Sequence, residues 1–350
     1  VEGSASSQLI SIGEHSFSYS GITTITISSG VATIYNYAFY RCIYLTHITF
    51  GPGSVLSNIG LYSFYHTSIE TIYLPWTTTY IGNYAFGECN QLSTVEFMSN
   101  SNGASTHSLQ SIGQYAFYKS IITSIIIPNS VQTIDESCFQ YCTQLTQIIF
   151  ASGSHLTSIG SYAFAYSGIT TMTIPNSVEN IMNDVFYMCI YLTIFSFKTN
   201  SALASIGERA FYQTSITAIY IPYYVAQISD SAFENCHYLH TISFQSNGEN
   251  QHSIQTLGQS TFASTNLTSI TFPDSLVSIG SSCFHNCTML SQAIFSPNSQ
   301  LYTIGQGAWY NCRSLTTVTI SPRVEVIPMN TFRGCISLYQ VIFLGMNTIH

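Results

Sequence analysis

Charge is nearly missing from this chain. Of 350 residues only seven are Lys or Arg and 15 are Asp or Glu, for a net charge of −8. A nucleic-acid site needs a cluster of cations to neutralise phosphates, so no nucleic-acid partner is expected. An acidic membrane surface is equally unattractive. No apolar run approaches the roughly 18 residues of a membrane-spanning helix. There is no initiator Met and no signal-peptide pattern, and the chain opens and closes inside its own rhythm, at Leu9 and Ile12 and at Met346 and Ile349. It reads as a processed or excised segment, uncapped, with any stalk or anchor outside it.

Motifs that carry chemistry are scarce as well. The chain contains no G-x-S-x-G elbow and no H-E-x-x-H. Gly305, Gln306 and Gly307 imitate half of a dinucleotide loop, but no βαβ unit surrounds them. The acids are scattered rather than convergent. Cys236, His237 and His240 form the densest ligand-like cluster, yet Cys236 falls on a repeated core position and leaves two histidines on a turn. No catalytic residue, metal or cofactor is expected, and the chain reads as non-enzymatic. Disorder is excluded too: 46% of the residues are hydrophobic and 14% aromatic, ample for a core.

What the chain has is repetition. An aromatic anchor recurs at Phe17, Phe39, Phe64, Phe86, Phe117, Phe139, Phe164, Phe186, Phe211, Phe233, Phe262, Phe284, Trp309 and Phe332, mostly in alternating steps of 22 and 25 residues. Three residues after every anchor stands Cys, Ser or Thr. Before the anchors run short alternating stretches such as Thr24-Ile25-Thr26-Ile27 and Thr71-Ile72-Tyr73-Leu74, with one face apolar and one polar as in a half-buried strand. A period of 20–29 residues with one strand per unit lies in the range of leucine-rich repeats.

Leu45, Ile48 and Phe50 followed by Ile59, Gly60 and Phe64, and Leu145, Ile148 and Phe150 followed by Ile159, Gly160, Ala163 and Phe164, give the pattern a specific resemblance. It resembles the BspA-like leucine-rich repeats over residues 9–343. The Asn ladder of the common leucine-rich repeat is not present. The resemblance implies a surface protein used in adhesion, on the cell surface or secreted. The expected fold is α/β: a single leucine-rich-repeat solenoid over residues 1–350, about fourteen units long. One short parallel strand per coil forms a continuous concave sheet, with short helical or 3-10 segments and turns on the convex side. Asp135, Ser229 and Asp230 suit caps of those helical pieces, and Glu14 and Glu208 their first turns.

Gly follows the turn Ile nine times, and Pro328 stands there once. Because proline fixes a negative φ, the glycines are expected to serve close approach between coils, not a left-handed turn. Tyrosines cluster beside the anchors, at Tyr40, Tyr65, Tyr118, Tyr187, Tyr212 and Tyr310 and at Tyr37, Tyr62, Tyr84, Tyr115 and Tyr162. They read either as stacks along the coils or as contact area for a ligand.

Two insertions interrupt the rhythm, near 98–108 and 245–253, and share Ser-Asn-Gly and His-Ser. They read as a duplicated neutral loop or as a binding edge. The candidate ligand-binding residues are therefore His47, Tyr73, Glu96, Gln147, Lys198 and Tyr220 on the concave strands, with Asn102, His107, Asn247 and His252 on the insertion edge. A protein ligand is the expected partner, a glycan or a role in a cell coat the alternative. Eight of the ten cysteines occupy the anchor-plus-three position. Only Cys287, Cys312 and Cys335 fall on successive rungs, close enough to pair; free thiols are expected. Sequons at Asn266 and Asn286 are the frequency a Ser- and Thr-rich chain would hold by chance.

Overall fold

The computed structural model of the chain describes residues 7–99, 107–247 and 251–345. It divides into two compact units, Val1–Ile169 and Thr170–His350, each holding seven anchors. Numbering the coils by anchor, coils 1–7 belong to the first unit and coils 8–14 to the second. Both units are parallel-strand solenoids built from turns and strands.

Each coil contributes to two ladders. One consists of two-residue strands placed just before the anchor, which the sequence reading did not foresee. In the first unit it runs unbroken from Ser11–Ile12 through Thr33–Ile34, Asn58–Ile59, Tyr80–Ile81, Ser111–Ile112 and Thr133–Ile134 to Ser158–Ile159. In the second it runs from Asn180–Ile181 to Thr303–Ile304. The expected strands form the other ladder, but not as one continuous sheet. In the first unit Thr24–Ile27, His47–Phe50, Thr71–Leu74 and Thr94–Phe97 pair in order, while Ser124–Ile127 pairs only onward with Gln147–Phe150. In the second unit the ladder is interrupted after Ile194–Phe197 and after Thr241–Phe244. Two of these interruptions coincide with the insertions near 98–108 and 245–253. Extra residues after a strand free it from the register that a 22- or 25-residue coil imposes.

The expected helical segments are not there: among the described residues no helix occurs. The reason is visible around every anchor. The residues two before and two after it have positive φ in all fourteen coils, for example Tyr37 at 56° and Arg41 at 56° about Phe39. An α-helix needs negative φ throughout and bonds N–H(i) to O(i−4). Here the bonds alternate. Ala38, Tyr40 and Cys42 donate back three residues, to Tyr35, Tyr37 and Phe39, whereas Tyr37, Phe39 and Arg41 donate sideways to Leu61, Ser63 and Tyr65 of the next coil. The convex side is thus a third hydrogen-bonded strip. Among the described residues there is no helix for Asp135, Ser229 or Asp230 to cap; Asp230, like Asn36, Asn83 and Asn183, accepts from a backbone N–H of the next coil, at Gln259, Leu61, Gln114 and Glu208 respectively.

The core follows the anchors. Phe39 through Phe284 and Trp309 are fully buried, and successive rings stack. In the first unit Phe39 lies 5.0 Å from Phe64 and Phe117 5.4 Å from Phe139; in the second Phe211 lies 5.0 Å from Phe233. Leu, Ile and Val from both ladders close around them, each worth about 1.5–3 kcal/mol on burial. The repeat glycines serve close approach, as expected. A Cβ on Gly160 would lie 2.5 Å from the Glu136 nitrogen, and one on Gly60 2.7 Å from the Asn36 nitrogen; neither residue has positive φ.

The constant Cys, Ser or Thr after the anchor is more than a small filler. Phe64 O accepts from Thr67 Oγ1 at 3.0 Å and from Cys89 Sγ of the next coil at 3.1 Å; Phe262 O is engaged in the same way by Thr265 and Cys287. These groups satisfy the carbonyl of the buried anchor.

Candidate functional site

Because side chains alternate along a strand, every second residue of the four-residue strands points outward. His47, Tyr73, Glu96 and Gln147 occupy such positions in the first unit, and Tyr220 does so in the second; all are exposed. Lys198 directly follows its strand, where its N–H donates to Ile174 O at 3.0 Å. Outward apolar residues accompany them: Ile126 and Ile149 face each other across a ladder in the first unit, and Ile194 and Ile294 stand outward in the second. Tyr73 is 49% exposed and Tyr220 56%, so neither belongs to the core.

The structure brings some of these residues together and leaves others apart. Tyr73 and Glu96 are direct cross-strand partners. His47 sits one strand away and bonds its own neighbour, Thr46 Oγ1, at 2.8 Å. Where Thr94–Phe97 and Ser124–Ile127 fail to pair, a cleft of about 670 Å³ opens. Its walls are the two strands, its floor includes Val95 and Ile125, and Glu96, His107, Ser124 and Ile126 line its sides. A strand candidate and an insertion candidate, Glu96 and His107, thus meet in one cavity. Phe97, Pro128 and Asn129 also line it and went unnoticed in the sequence; the 31-residue step between Phe86 and Phe117 was the signal that something opens there.

His107 is half-buried. Its ring meets Phe97 edge-on, with centroids 6.4 Å apart, and its buried Nδ1 has no hydrogen-bond partner among the described residues. Burial lowers its pKa from the ordinary 6.5, so it is neutral at pH 7. Asn102 lies outside the described residues. In the second unit Asn247 and His252 fasten their own insertion: Gln251 N donates to Asn247 Oδ1 at 2.9 Å, and His252 Nδ1 meets Gln245 O at 3.0 Å.

The tyrosines beside the anchors stack along the coils. Tyr37, Tyr62, Tyr84 and Tyr115 form one column, at 5.3, 4.5 and 4.4 Å, and their faces are turned to each other. On the same side of the first unit, Glu88 gathers Lys119 at 3.2 Å and His66 at 3.4 Å. Burial pushes the Glu88 pKa up, but hydrogen bonds from Tyr65, Lys119 and His66 outweigh it and hold the carboxyl below its ordinary range. This cluster ties three coils.

All ten cysteines are free thiols in the structure. Of the sequons, Asn266 is exposed, whereas Asn286 is half-buried and accepts from Asn311 Nδ2 at 3.2 Å. Among the described residues no group of three or more His, Cys, Asp or Glu could hold a metal ion, and no helix is long and apolar enough to cross a membrane.

The BspA type leucine rich repeat region family matches the chain over residues 10–111, 57–193, 110–240 and 204–339. Among curated proteins none matches. Among solved structures, a leucine-rich repeat protein from Bacteroides ovatus is 25% identical, with 95% of this chain and 88% of that one covered and a TM-score of 0.71. The pneumococcal vaccine antigen PcpA is 19% identical over 80% of this chain and 69% of its own, with a TM-score of 0.48. A leucine rich cell surface protein from Faecalibacterium prausnitzii is 22% identical over 93% and 89%, with a TM-score of 0.42.

Proposed function

This chain belongs to the BspA-type leucine-rich-repeat family, and from that premise we propose that it is a non-enzymatic recognition module. It binds a protein partner, of a host, a neighbouring cell or a matrix, through the outward face of its four-residue strands, at the cell surface or after secretion. The observation that carries this reading is the character of that face. Tyr73, Ile126 and Ile149 in the first unit, and Ile194, Tyr220 and Ile294 in the second, are large, apolar and 39–63% exposed. They stand among Thr, Ser and Gln with almost no charge, the composition of the centre of a protein interface. The tyrosine column of Tyr37, Tyr62, Tyr84 and Tyr115 has its faces turned to each other and is not the platform on which a sugar would stack.

The test uses the intact chain and intact cells or matrix. The combined variant Tyr73→Ser, Ile126→Ser, Ile194→Ser and Tyr220→Ser should abolish retention, while Val55→Ser with Met289→Ser, equally exposed but outside the strands, should leave it unchanged. Retention undiminished in the first variant would remove the strand face as the binding surface.

A further inference from the structure

We propose that the cleft between Thr94–Phe97 and Ser124–Ile127 receives an extended segment of a protein partner, its backbone at the unpaired strand edges beyond the tie between Ser93 and Thr123 and a Lys or Arg side chain against Glu96. This deepens the reading that the chain binds a protein partner, and rests on it.

The first ground is backbone chemistry. A strand edge without a laddered neighbour presents N–H and C=O groups ready to pair with another chain. Thr94–Phe97 pairs on one side only, with Thr71–Leu74, and Ser124–Ile127 pairs only with Gln147–Phe150. The two strands are tied together just before they begin, by Thr123 N donating to Ser93 O at 3.4 Å. The ladder of two-residue strands continues beneath them, and Phe86 stacks on Phe117 at 5.6 Å. The core is therefore closed while the sheet above it is split, so the cleft is a built feature of a rigid unit. Addition of an extended segment to such an edge draws affinity from main-chain bonds and specificity from alternate side chains.

The second ground is the lining. A cavity of about 670 Å³ lies within the range of ligand pockets. Val95 and Ile125 form a buried apolar floor, and Ile126 stands 59% exposed at the rim, suited to the stem of a long side chain. Glu96 is the charge at this place. Among the described residues no ion pair engages it, and its cross-strand neighbour is Tyr73. His107, kept neutral by burial, does not offset it. The chain's net charge of −8 steers a basic segment toward it.

The probe is the labelled peptide acetyl-Thr-Val-Lys-Val-Thr-amide, titrated with the intact chain and followed by fluorescence anisotropy. Saturable binding is expected, weakened at least about tenfold by Lys-to-Gln replacement in the peptide, by N-methylation of its two Val residues, and by Glu96→Gln in the protein. Ser124→Phe, which fills the cleft from an exposed position, should abolish it, with the unfolding midpoint of both variants unchanged. No saturable binding up to about 1 mM, or affinity indifferent to Glu96→Gln and Ser124→Phe, overturns the proposal. The two levels separate cleanly. If Ser124→Phe retains binding to cells while the four-serine variant loses it, this cleft is wrong and the recognition reading stands; if both retain it, both fall.

Discussion

At single positions the packing is decided by which atoms a side chain would meet. Gly160 and Gly21 look alike in the sequence, but a Cβ on Gly160 would press on the backbone of coil 6, at 2.5 Å from Glu136 N and 2.7 Å from Asp135 C, whereas one on Gly21 would find nothing within 4 Å. Backbone held in a ladder cannot step aside. Gly160→Ala should cost about 1–3 kcal/mol or more, and Gly21→Ala should be neutral or stabilise by about 0.4–1 kcal/mol through the unfolded chain. Urea midpoints of the two variants test the pair, and equal midpoints would contradict the close-approach argument. His107 supports a prediction in pH. Its folded pKa lies below the ordinary 6.5 because burial disfavours the cation, so the unfolded chain binds the proton more readily. Stability is then unaffected above the unfolded pKa and falls as the pH drops below about 6.5 toward the folded value. A pH series of unfolding midpoints should flatten through this window in His107→Gln. Glu88 adds a second loss at lower pH, since its folded pKa is depressed below 4.5 and its contribution goes as the pH falls through that value.

Among the elements, the four-residue strands and the anchors were legible in the sequence; the two-residue strands and the turns about the anchors were not. A period-2 pattern such as Thr71-Ile72-Tyr73-Leu74 specifies one buried and one wet face by itself, and an aromatic recurring every 22 or 25 residues must stack on its own kind once the coils align. Nothing comparable announces the convex strip. Tyr37, Arg41, Glu88 and Lys119 are ordinary residues with no intrinsic taste for positive φ, and each costs roughly 1–2 kcal/mol there. That cost is met by bonds to the neighbouring coil, such as Tyr37 N to Leu61 O at 2.9 Å and Arg41 N to Tyr65 O at 2.8 Å. They are non-local and invisible in any single repeat, so residues such as Glu208 and Asp230 looked like parts of short helices. The cleft was half legible: Glu96 and His107 were picked out separately, and the 31-residue step marked the place, but the failure of two strands to pair depends on register. Ser260, at φ 53°, offers a direct check, because its small side chain has no ring to stack on a neighbouring coil as Tyr37 and Tyr62 do. Ser260→Gly should raise stability by about 1 kcal/mol, read from the urea midpoint, where a lower midpoint would mean that this turn is not strained. Phe139→Ala, which removes a fully buried ring between Phe117 and Phe164, should cost about 3–5 kcal/mol.

Across the whole molecule, the thiols report on how the coils are closed. Nine of the ten cysteines are buried, and Cys335 is partly exposed. Burial raises the pKa of Cys89 to about 11 and of Cys142 and Cys236 to about 12, so at pH 8 these groups are thiols with almost no nucleophilic thiolate. Cys335 differs: hydrogen bonding from Cys312 lowers its pKa, although partial burial opposes this. A chromogenic disulfide reagent added to the native chain at pH 8 should therefore modify Cys335 first and leave the remainder silent until the coils open. In denaturant without reductant all ten thiols should react. Fewer than ten would mean that some are covalently joined, either among Cys287, Cys312 and Cys335 on successive rungs or within a coil, where Cys142 lies near enough to raise the pKa of Cys138 and Cys287 that of Cys283; the other anchor-plus-three cysteines alternate with Ser or Thr, as Cys89 follows Thr67. Reduction before titration would then restore the count to ten, and peptide mapping of the thiols blocked before reduction would locate the crosslink.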